Sequence, residues 1–224
     1  VSGVPKVDYG GQGGLGDVVV SPGFDNGANR KIYLSWVEAG QGDTRGAVVA
    51  EADLAAGELD GLTASLQNLK VIWRQNPKVT GRGHFSHRLA FSPDGQYLFI
   101  SSGDRQKMEP AQDPASDLGK VIRYDLATGK AEQWSMGHRN LLGIAFDSSG
   151  NLWNTEMGPA GGDELNLVLQ GKNYGWPKAS NGSHYDGKDI PDHTPGDGFE
   201  APKVWWNPSI SPSSLMIYSG DLFP

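Results

Sequence analysis

Cysteine is absent from the 224 residues, which excludes disulfides, thiolate metal sites and dithiol redox chemistry. No apolar run approaches the roughly 20 residues that a membrane-spanning helix needs. Positive charge is also scarce: 19 Lys and Arg stand against 26 Asp and Glu, a formal net charge of −7. A phosphate backbone is gripped by clustered cations, so this balance argues against nucleic acid as a partner. Helical periodicity is nearly missing, and only 54–66 and 116–120 read as short helical turns. The opening residues, Val1-Ser2-Gly3-Val4-Pro5, carry no basic and apolar targeting pattern.

Glycine is plentiful. The 32 glycines are about twice the usual share of roughly 7%, and 14 prolines are spread among them. With frequent Val, Ile, Tyr and Trp, this composition predicts many short strands joined by tight turns. The chain also repeats itself. Asp17 to Trp36, Leu89 to Ser101 and Ile144 to Trp153 each run apolar strand, Pro/Asp/Gly turn, second strand, which predicts a β-hairpin. Further strand pairs follow them, at Gly46–Leu54 with Lys70–Gln75 and at Lys120–Asp125 with Ala131–Trp134. A hairpin followed by another strand pair, recurring along the chain, predicts propeller blades over a β-sandwich. The expected architecture is all-β, a single partial propeller domain over residues 1–224.

Several loops carry chemistry. Gly11-Gln12-Gly13-Gly14-Leu15-Gly16 fits a dinucleotide fingerprint, but it opens a β run where that motif must open a helix. It reads instead as a glycine-rich loop presenting Gln12. Gly83-His84-Phe85-Ser86-His87-Arg88 precedes a blade-opening strand, and Gly137-His138-Arg139-Asn140 has the same placement. From the residues alone, His84 is open between a catalytic base, a metal ligand and a structural hydrogen bonder. Arg139 and Asn140 are likewise open between a site and turn chemistry. Glu156-Met157-Gly158-Pro159-Ala160-Gly161-Gly162-Asp163-Glu164 joins carboxylates to carbonyl-exposing Gly-Pro, which suits a hard cation or a plain acidic turn.

In order along the chain, these segments resemble the soluble PQQ-dependent glucose and aldose sugar dehydrogenases. The most specific stretch is Gly158-Pro159 through Asp163-Glu164-Leu165-Asn166 to Lys172-Asn173-Tyr174-Gly175-Trp176-Pro177. The resemblance implies a six-bladed propeller, here incomplete at both ends, with pyrroloquinoline quinone (PQQ) and Ca²⁺ in a cleft on one face. It implies oxidation of an aldose to its lactone, electrons passing on to an external acceptor, and a periplasmic or secreted location. Under it, His84 matches the general base and also a sugar contact, as does Gln12. Arg139 matches a catalytic cation beside the quinone, and Asn140 a cofactor contact. The carbonyls of Gly158 and Pro159 match a catalytic Ca²⁺ site, and Glu164 with the Tyr174 backbone a structural one. Leu141-Leu142 and Gly83 depart from the family pattern, which has Pro-Gln at the former and, in the glucose branch, an acid at the latter. The chain alone is expected to bind PQQ poorly, because the cofactor's basic partners would lie past Pro224. Two other readings remain: a propeller that binds carbohydrate or protein without redox chemistry, and a metal-dependent lactonase-like hydrolase.

Overall fold

Strand residues alternate sides, so a strand apolar at every position is buried on both faces. Burial on both faces is the pattern of the central strands of the computed structural model, which describes residues 1–25, 29–56 and 63–223. Three four-stranded antiparallel sheets follow one another along the chain. The first contains β1 (Leu15–Val20), β2 (Lys31–Ala39), β3 (Arg45–Ala56) and β4 (Ala64–Arg74) in sequence order. The second contains β5 (Ser86–Phe91), β6 (Tyr97–Ser102), β7 (Lys120–Asp125) and β8 (Ala131–Met136), again in order. The third contains β9 (Leu141–Phe146), β10 (Leu152–Glu156), β12 (Asp163–Leu167) and β14 (Val204–Trp206). The short strands β11 (Ala160–Gly161) and β13 (Gly182–Ser183) pair separately. The three predicted hairpins thus fall in three separate blades of a partial β-propeller.

The blades pack through alternating faces. On β2, Tyr33 faces the second blade, while Ile32, Leu34 and Trp36 face away from it. On β6, Leu98 and Ile100 join Tyr33, Val49 and Trp73 in the core between the first two blades. Phe99 turns the other way, to Val121, Leu141, Ile144 and Leu152 between the second and third. The outward face of the first blade is partly covered by the N-terminal segment. Its Ser2 bridges Ser65, Asp8 N–H donates to the Val37 carbonyl, and Val7 packs on the sheet.

Neither predicted helical turn is seen among the described residues. Residues 54–56 and 64–66 are paired strand, Leu54 opposite Leu66, because apolar cross-strand packing outweighs local propensity there; 57–62 lie outside the described residues. Residues 116–120 are a turn leading into β7, held where Lys120 Nζ donates to the carbonyls of Pro110, Ala111 and Leu118. A 3-10 turn occupies Glu109–Gln112 instead. Among the described residues, no helix is long and apolar enough to cross a membrane.

The neighbouring strands β1, β5 and β9 are the innermost of the three blades. Each starts with a β-bulge, an extra residue between paired positions: between Leu15 and Val18, between Ser86 and Leu89, and at Leu142. A bulge re-aims the side chains around it. These three sit at the same end of the blades, where the candidate loops converge.

Candidate functional site

His84 enters the site through the register of one hairpin. Ser86 pairs with Ser102, so the residues two before and two after stand opposite one another. They are His84 and Asp104, and His84 Nδ1 lies 2.7 Å from Asp104 Oδ1. Asp104 is fully buried. Its Oδ2 accepts from the Trp176 indole N–H at 2.8 Å, and its Oδ1 also accepts from the Gln106 N–H. An ionised carboxylate only accepts, so it fixes the proton on His84 Nδ1 and leaves Nε2 as the free lone pair. The His84 main chain has φ of 48°, a left-handed conformation that costs free energy in a non-glycine residue. It is held there by its N–H donating to Gln12 Oε1 at 2.7 Å.

Arg139 enters by the same logic. Leu141 pairs with Glu156, which sets Arg139 opposite Gly158. Its Nη1 donates to the carbonyls of Met157 (2.9 Å) and Gly158 (2.6 Å), and Nη2 to the Tyr185 hydroxyl at 3.3 Å. The Arg139 N–H donates to Glu156 Oε1. The guanidinium lies over the rings of Trp176 and Tyr185, 5.2 and 5.7 Å from their centroids, an attractive cation–π geometry. Its buried Nε has no acceptor, so a bound anionic oxygen would complete it.

His84, Asp104, Arg139, Pro159, Trp176 and Tyr185 wall one cleft of about 160 Å³. Beside it is a much smaller pocket, about 10 Å³, shared by Arg139, Glu156, Gly158, Pro159, Glu164 and Tyr174. That is close to the roughly 10–15 Å³ that one water-sized occupant needs. Glu156 and Glu164 are direct cross-strand partners, both buried. Burial, then the facing Glu156 charge, pushes the Glu164 carboxyl up to about 8. Two buried carboxylates with main-chain carbonyls form an oxygen-only donor set, which suits a hard cation such as Ca²⁺. Among the described residues, no three His, Cys, Asp or Glu side chains converge on one metal position; a cation here would depend on carbonyl oxygens. The residues fit it. The cleft also fits a planar anionic quinone, with aromatic walls and a cation short of one acceptor.

Gln12 and Asn140 line a third cavity, at the inner ends of the blades. Asn140 Oδ1 accepts from Ser86 Oγ at 3.1 Å, and its carbonyl accepts from the Met157 N–H. His87 parts from His84: its Nδ1 lies 2.9 Å from Ser35 Oγ, and burial pulls the imidazole down to about 3. It is a neutral core histidine, so the two His do not form a metal pair. A methyl at Gly83 would meet the far end of the Gln106 side chain, which is free to swing aside.

A family model described as glucose/sorbosone dehydrogenase matches residues 1–224. The chain belongs to that family. Among the glucose/sorbosone dehydrogenase relatives, it is 37% identical to "Aldose sugar dehydrogenase YliI" of Escherichia coli, over 100% of this chain and 62% of that protein. It is 27% identical to "Quinoprotein glucose dehydrogenase B" of Acinetobacter calcoaceticus, over 79% of this chain and 43% of that one. The chain thus spans about three fifths or less of the lengths of these two relatives. The apo form of the soluble aldose sugar dehydrogenase from E. coli superposes with a TM-score of 0.88 at 38% identity, covering 100% of this chain and 67% of that one. The PQQ-bound form of the aldose sugar dehydrogenase from Streptomyces coelicolor gives 0.73 at 29%, covering 92% and 57%.

Within this glucose/sorbosone dehydrogenase chain, sequence reasoning missed Asp104, Gln106 and Tyr185. Asp104 had a signal: it follows the second strand of the hairpin that His84 precedes, at the mirrored distance. Tyr185 had none, because it comes from the irregular 178–200 loop.

Proposed function

We propose that this chain carries the base and the cationic wall of a site that oxidises an aldose at its anomeric carbon, giving the lactone. The observation that carries the reading is the cleft in which the Asp104-oriented His84 and the aromatic-stacked Arg139 meet. His84 Nε2 accepts the anomeric hydroxyl proton, and the Asp104 carboxylate stabilises the imidazolium that forms. Gln12 serves the sugar side of the site indirectly, by fixing the His84 main chain. Arg139 offers positive charge where negative charge develops on the electron acceptor, in a site whose dipoles are already oriented. Asn140 keeps Arg139 in place by tying β9 to the Met157 turn.

Arg139, with the Trp176 and Tyr185 rings, would hold PQQ, which when bound would supply a two-electron acceptor. The carbonyls of Gly158 and Pro159 would hold a Ca²⁺ that supplies Lewis-acid polarisation, and Glu164, with Glu156 beside it and the Tyr174 carbonyl, a second and structural one. Arg139 already occupies the Gly158 carbonyl, so guanidinium and cation would share it. A periplasmic or secreted location and an external electron acceptor belong to the same proposal, and cell fractionation tests the first. The decisive experiment is aldose-dependent reduction of a soluble dye after addition of PQQ and Ca²⁺, using the protein containing this chain at full length. Turnover that disappears without PQQ supports the reading; dye reduction independent of PQQ overturns it.

A further inference from the structure

The third cavity, about 110 Å³, lies where β1, β5 and β9 converge and shares no lining residue with the cleft. Successive residues divide between the two: His84 and Arg139 face the cleft, while Ser86, Arg88 and Asn140 face this axial cavity. None of the residues lining it is acidic, in a chain of net charge −7. What it has are donors. The Arg88 Nε is buried and has no acceptor, and no ion pair or hydrogen bond engages its guanidinium among the described residues. Gln12 spends its amide oxygen on the His84 N–H, and Asn140 spends its own on Ser86 Oγ. Both amide NH₂ groups are left as donors on this cavity. The acid adjacent to it along β1, Asp17, is not in the lining; its carboxylate accepts from the N–H groups of Val18 and Leu89. His87 also lines the cavity but is neutral, being pulled down to about 3 by burial. An unpaired buried donor is costly, most of all on a cation.

We propose that the axial cavity binds a monovalent anion of halide size, held by the Arg88 guanidinium and the amide groups of Gln12 and Asn140. Roughly 10–15 Å³ admits one water, so the cavity holds such an ion together with part of its hydration. Because Gln12 has its oxygen on the His84 main chain, an anion drawing on its NH₂ fixes both. The site would therefore stiffen the loop that carries His84 from the side away from the cleft. This inference does not rest on the sugar-oxidising reading, since occupancy is read without turnover.

Bromide is the probe. Crystals of the full-length protein that contains this chain, soaked in sodium bromide, should show an anomalous peak in hydrogen-bonding contact with Arg88. A bromide titration at constant ionic strength, balanced with sodium gluconate, whose anion is too bulky for the cavity, should raise the thermal midpoint saturably. Arg88→Gln should weaken that affinity about tenfold or more, because a charge-assisted bond is exchanged for a neutral one. The map on the unmodified chain stands even if the variant folds badly. No peak at Arg88, or an unchanged titration in a folded Arg88→Gln, overturns the proposal. So does a peak that PQQ displaces, which would assign the cavity to a carboxylate of that cofactor. In contrast, failure to oxidise sugar with bromide bound at Arg88 would remove the functional reading and leave the anion site standing.

Discussion

His84 and Asp104 share one short contact, 2.7 Å, but they do different things. The imidazole meets the substrate; the carboxylate decides which nitrogen is free. His84→Ala should therefore lower turnover by on the order of 10²–10⁴ and leave PQQ affinity nearly unchanged, read by dye reduction alongside a PQQ titration. Asp104→Asn should keep a base but remove the negative charge beside it. Turnover should then fall about tenfold or more with KM little changed, since nothing fixes the proton on His84 Nδ1 or stabilises the imidazolium that forms. An unchanged turnover would mean that Asp104 is structural. Arg139→Ala differs from both, because it should weaken cofactor binding and rate together.

The elements that place these residues are hairpins with bulged inner strands. Gly103 shows how tightly. It has no special backbone angle, yet a methyl there would overlap the His84 carbonyl and crowd Ser86 Oγ. Gly103→Ala should cost about 1–3 kcal/mol, as overpacking does, and reduce turnover as well; Gly150→Ala, where nothing lies within 4 Å but φ is +82°, should cost about 1–2 kcal/mol of backbone strain and leave turnover alone. Urea midpoints and initial rates on the two variants check this. The hairpins themselves were legible in the sequence, because strand alternation and Pro/Asp/Gly turns are local signals. So was the clustering of the His84 and Arg139 loops, which both precede inner strands. The bulges were not legible. An extra residue in one strand is invisible without its partner's register, and the one at Leu142 shifts the alternation of the residues before it relative to the strand that follows. The 54–66 stretch failed for a related reason: its helical spacing is genuine, but the pairing of β3 with β4 supplies long-range contacts that local reading cannot weigh.

Across the whole molecule, two interblade cores hold the blades together, and a buried carboxyl within the third blade is an exception that works against the fold as pH rises. Leu98, fully buried between the first two blades, should cost about 2–5 kcal/mol when cut to Ala, read from the unfolding midpoint. The exception is Glu164. Its carboxyl titrates near 4.5 when unfolded and near 8 in the fold, raised by burial and then by Glu156. Between those values the folded state holds a proton that the unfolded state has released. Fewer protons on the unfolded state means that stability falls as pH rises through this window. In Ca²⁺-free buffer, the unfolding midpoint should therefore decline from about pH 5 to pH 8. A cation between Glu164 and Glu156 favours the ionised form and binds the folded chain alone, so millimolar Ca²⁺ should flatten that decline and help most at the alkaline end. Glu164→Gln removes the titrating group and should flatten the profile without Ca²⁺, while losing the Ca²⁺ response. His87 sets the opposite limb. It is neutral in the fold down to about 3 and protonated below about 6.5 when unfolded, so stability is lost as pH falls from 6.5 toward 3. Unfolding curves across pH, with and without Ca²⁺, separate the two limbs. A decline above pH 5 that ignores both Ca²⁺ and Glu164→Gln would show that the carboxylate pair is not the cation site.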